Sequence, residues 1–176
     1  VARHARQVAD ACEIRATALA QLLTTLARYK QPSYFAERSL SALLCTAARS
    51  VASAGKGSEG LWWFFGYPAL LCAYAYGVAC ASKDDWRAAI SAARDAGSGG
   101  VERELRLPPE DQQYFVRSLA ADFIVPGEAE RAFANRIAAW LFPLTETWLP
   151  RKADFERAFD RFDVILCLLS LRLNVS

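Results

Sequence analysis

The chain has 176 residues, 53% of them hydrophobic and 23% charged, with a net charge of +2. These values exclude a disordered tail, a collagen and a coiled-coil rod, and they fit one globular domain. The near balance of charge argues against a nucleic-acid binder that works through bulk positive charge, although a local patch remains compatible with it.

Residues 5–30 predict a helix, because Val8, Cys12, Leu19, Leu22, Leu23 and Leu26 recur at spacings of three to four. Pro32 ends it and Ser33 can cap the next, which runs to about residue 53 with Leu40, Leu43, Leu44 and Ala47 on its apolar side. GKGSEG at 55–60 then breaks the pattern as a loop. Residues 60–82 carry no charge and are numerous enough to cross a bilayer. Pro68 argues otherwise: the residue before a proline avoids the helical region, so a boundary is expected at Tyr67. The run then divides into a short aromatic piece and a helix over 68–82 of about 22 Å, too short to span. Its residues are apolar all round, which suits the centre of a bundle. A single membrane span over 60–82 is the competing reading.

Gly77 inside this helix costs propensity and so marks close packing by a neighbour. Ser82 with Asp85 is a capping-box variant opening a helix to about residue 96, with Trp86, Ala89, Ile90 and Ala93 inward. GSGG at 97–100 is the clearest break, either a loop or a hinge between two lobes. VERELRL at 101–107 alternates like a strand but has no partner strand. Helices follow over 110–124 and from 126 to about 142, the latter with Phe133, Ile137, Trp140 and Leu141 inward. Pro143 and Pro150 bracket a turn. The last helix starts near Asp154, its expected cap, and runs to about residue 172, with Phe155, Phe159, Phe162, Leu166 and Leu169 on one stripe. The expected architecture is all-α: one compact bundle of seven or eight helices over residues 1–176, either undivided or with two lobes hinged at 97–100.

Chemistry is sparse. Cys12, Cys45, Cys72, Cys80 and Cys167 are odd in number, lie in apolar stretches and form no C-x-x-C pair. That pattern suggests reduced, buried thiols and a cytoplasmic protein. Charges interrupt the N-terminal stretch, so it does not read as a signal peptide. His4 is the one histidine, which leaves neither a zinc site nor a histidine-dependent triad to assemble. GKGS at 55–58 lacks the first glycine of a phosphate-binding loop and follows a helix, not a strand. Asp84/Asp85 and Glu110/Asp111 begin helices, where negative charge suits the dipole. Glu156, Asp160 and Asp163 alternate with Arg157 and Arg161 as expected for ion pairs on a wet helix face. No catalytic residue, metal or cofactor is expected.

Two features point towards binding. Trp62, Trp63, Phe64, Phe65 and Tyr67 are nearly consecutive, and consecutive residues of a helix point in all directions. Either a second layer covers them in the bundle centre or part of the cluster binds a partner or ligand, which makes Trp62, Trp63, Phe65 and Tyr67 the candidate binding residues. Charge is also uneven: residues 1–60 carry +4 and residues 61–176 carry −2. The first third therefore either presents a solvated helix face or faces an acidic partner.

LCAYAYGVACASKDDWRAAISAARDA at 71–96 resembles one tetratricopeptide helix–turn–helix, with Gly77, Ala89 and Ala96 at positions that repeat keeps small and Trp86 where an aromatic is usual. The 34-residue period does not recur, so the stretch implies a helical hairpin and not a repeat array. YPALLCAYAYGVA at 67–79 and ADFERAFDRFDVILCLLSLRL at 153–173 resemble two elements of helical regions in multidomain bacterial proteins of the antiviral defence type. In that family an N-terminal effector or NTPase domain is paired with a helical C-terminal part, and Ile165 stands where leucine or tyrosine is usual. The resemblance implies a non-catalytic accessory module that senses, oligomerises or regulates, with a protein partner or another domain of the same polypeptide. The competing function is a stand-alone ligand-binding regulator whose aromatic cluster lines an apolar pocket.

Overall fold

The computed structural model describes residues 2–29, 62–91 and 130–173. Among them the chain is helical throughout, in five segments: α1 (Ala2–Arg28), α2 (Trp62–Ala81), α3 (residues 86–91), α4 (Glu130–Thr145) and α5 (Lys152–Leu173). The expected helices over 33–53 and 110–124, the alternating segment 101–107 and the hinge at 97–100 lie outside the described residues. The all-α class therefore stands.

α2 is the axis of the assembly. It packs on α1, α4 and α5, and every residue from Leu70 to Ala81 is buried. This is the expected place for a helix apolar on all faces. Its start differs from expectation, because the helix passes through Pro68 without a break. Proline forgoes one backbone hydrogen bond and crowds the carbonyl four residues back, yet Pro68 sits in the second turn, where only the Phe64 carbonyl loses its partner. The helix is thus about 30 Å long, in place of the roughly 22 Å expected from a break at Pro68. Among the described residues no helix is long and apolar enough to cross a membrane. Pro143 is likewise inside α4, which runs on to Thr145. Pro143 and Ala139, whose carbonyl it orphans, are both on the exposed side, where water can satisfy that group.

α1 meets α2 along a line of small residues, Ala9, Ala16 and Ala20, continued by Leu23. Alanines let the two helices approach closely. Leu22, expected inward, is instead 54% exposed. It lies about 100° round the helix from Leu23, and both cannot face α2.

The turn after α2 ties four helices together. Asp85 N–H bonds the Cys80 carbonyl at 3.0 Å and Asp84 N–H bonds that of Ala81 at 3.3 Å, with Asp84 in the left-handed region at φ 57°. This is the Schellman arrangement, with aspartate where glycine is usual. Asp85 then caps α3, its Oδ1 accepting from the Ala88 N–H at 3.2 Å. The cap is therefore Asp85 and not Ser82, whose hydroxyl turns back to the Ala79 carbonyl at 2.8 Å. The shift of start brings Ala88 and Ala89 inward and leaves Trp86 and Ile90 partly exposed. Lys83 extends to the last carbonyls of α1, those of Ala27 and Arg28, where a cation also suits the dipole. Asp84 pairs with Arg161 of α5 at 3.1 Å, and the Arg161 guanidinium lies 5.4 Å from the Trp86 ring centre. Because an L-residue in the left-handed region is strained, Asp84→Gly should be more stable than Asp84→Ala by about 1 kcal/mol, read by thermal unfolding. Equal stabilities would show that backbone strain does not govern this position.

α5 closes the core with Phe155, Phe159 and Phe162, as the sequence stripe predicts. Phe155 also meets Phe142 of α4 edge-on, at 5.2 Å between ring centres. Asp154 is a first-turn acid bonded to Arg151 at 3.3 Å, and the helix already begins at Lys152.

Candidate functional site

Tyr67 is the one candidate binding residue whose side chain is described; those of Trp62, Trp63 and Phe65, in the first turn of α2, lie outside the described side chains. Tyr67 is 1% exposed. Its ring leans on Phe133 of α4, 6.0 Å between centres, and its hydroxyl donates to Glu13 Oε1 of α1 at 2.7 Å.

The same Oε1 accepts from Arg136 Nε of α4 at 2.7 Å, and Arg136 Nη2 donates to Asp10 Oδ1 at 2.6 Å. Trp140, one turn after Arg136, donates its indole N–H to the Glu13 carbonyl at 3.2 Å. A polar knot therefore joins α1, α2 and α4. Burial works against the guanidinium charge of Arg136, but hydrogen bonds to Glu13 and Asp10 outweigh it and raise its pKa. Burial, then the bond to Glu13, pushes the Tyr67 phenol up. One guanidinium serves both carboxylates. The knot's chemical capacity is to fix the rotation of three helices about one another.

A second tyrosine does similar work. Tyr74 donates to Asp163 of α5 at 2.6 Å, while its ring stacks on Phe159 and meets Phe162 edge-on. Asp163 is thus turned inward, in contrast to the wet ion-pair face expected for it. Glu156 does lie on a wet, ion-paired face, but its partner is Lys152 at 3.5 Å, while Arg157 and Arg161 pair with Asp154 and Asp84. The Cys72 thiol is buried against α2's neighbours, and burial pushes its pKa up to about 12. Among the described residues no group of three or more histidine, cysteine or acidic side chains is placed to hold a metal ion.

The outer face of α1 is the feature that the sequence reading missed. Ile14 is 76% exposed and Tyr29 69%, and with the half-exposed Leu22 they continue through exposed Ala11, Ala18 and Thr25. These positions repeat at three-to-four spacing, so they form one apolar stripe opposite the alanine line that meets α2. Counting Leu22 among core residues concealed it.

No family model, curated protein or solved structure matches the chain.

Proposed function

We propose that the chain is a non-catalytic helical interaction module of a larger bacterial, defence-type protein, acting in the cytoplasm by sensing, oligomerisation or regulation. The observation that carries this reading is the outer face of α1, where two large aliphatic side chains and a tyrosine face solvent along one line. Large apolar side chains aligned on one exposed helix face are a candidate contact surface. Trp62, Trp63 and Phe65 at the start of α2 form the second contact region under this reading, with Tyr67 anchoring that end of the helix to α1 and α4.

A photo-crosslinking amino acid placed at position 14 or 22 of the full polypeptide in its own cell tests this. The expected result is a discrete cross-link to another protein or to sequence outside residues 1–176, absent when the probe sits at exposed Arg157. Cross-links confined to residues 1–176 would make the face internal packing and overturn the reading.

A further inference from the structure

We draw no further inference here: the strongest candidate, the exposed apolar stripe of Ile14, Leu22 and Tyr29 on the outer face of α1, is an unpartnered helix face, and nothing in the structure shows what covers it.

Discussion

Gly77→Ala should destabilise the protein by about 3 kcal/mol, lowering the unfolding temperature by roughly 10 °C. Alanine is normally the better helix former by about 1 kcal/mol, so propensity alone predicts the opposite sign. Packing decides: a Cβ on Gly77 would overlap three carbons along one edge of the Phe162 ring. That ring is fully buried and held edge-on to Tyr74 at 5.3 Å between centres, so it has no open direction in which to move. Phe162→Ala by itself should cost about 3–5 kcal/mol through the cavity it leaves. The decisive comparison is the pair. In a Phe162→Ala background, Gly77→Ala should become neutral or stabilising by up to about 1 kcal/mol, because the clash is gone and the propensity gain remains. Persistence of the full penalty there would mean that α2 itself, and not its contact with α5, requires glycine.

The second large effect is expected at the knot. Arg136→Met keeps most of the side-chain bulk and removes both ion pairs, leaving the Glu13 carboxylate with the Tyr67 hydroxyl as its remaining side-chain partner in the knot. Breaking a fully buried pair costs about 3–5 kcal/mol and an exposed one about 0–1. Arg136 and Glu13 side chains are 21% and 14% exposed, so a loss of about 2 kcal/mol is expected in chemical denaturation. Adding Glu13→Gln should restore about half of it, since the stranded charge then disappears. No recovery would assign the loss to the packing of the arginine stem.

The helical class was legible because apolar residues recur at helical spacing nearly everywhere, and the Phe155–Phe162 stripe and the close approach at Gly77 followed from the same reasoning. Errors arose where tertiary contacts overrode local rules. Pro68 signals a boundary in an isolated peptide, but a buried helix tolerates the loss of one hydrogen bond near its start. Leu22, Trp86 and Ile90 were read as inward from apolar spacing, whereas the buried positions there are Ala16, Ala20, Ala88 and, as expected, Ala89. The polar knot had no local signature, because Glu13 and Arg136 are 123 positions apart. Tyr67 was legible as part of an aromatic cluster, but its hydroxyl partner was not. The spacing of Ile14 and Leu22 was visible throughout; which side of α1 faces inward became clear only from the position of α2.

Exposed turns between helices are ordinarily where a chain tolerates cutting, insertion or new termini. The four residues from Ser82 to Asp85 look suited to that, since Lys83, Asp84 and Asp85 are all exposed. Yet each serves a different helix: Ser82 turns back to α2, Lys83 ends α1, Asp84 pairs with α5 and Asp85 starts α3. A reporter, a protease site or a permuted terminus placed there would loosen the ends of three helices and a contact to the middle of a fourth. The turn is a keystone with the appearance of a loop.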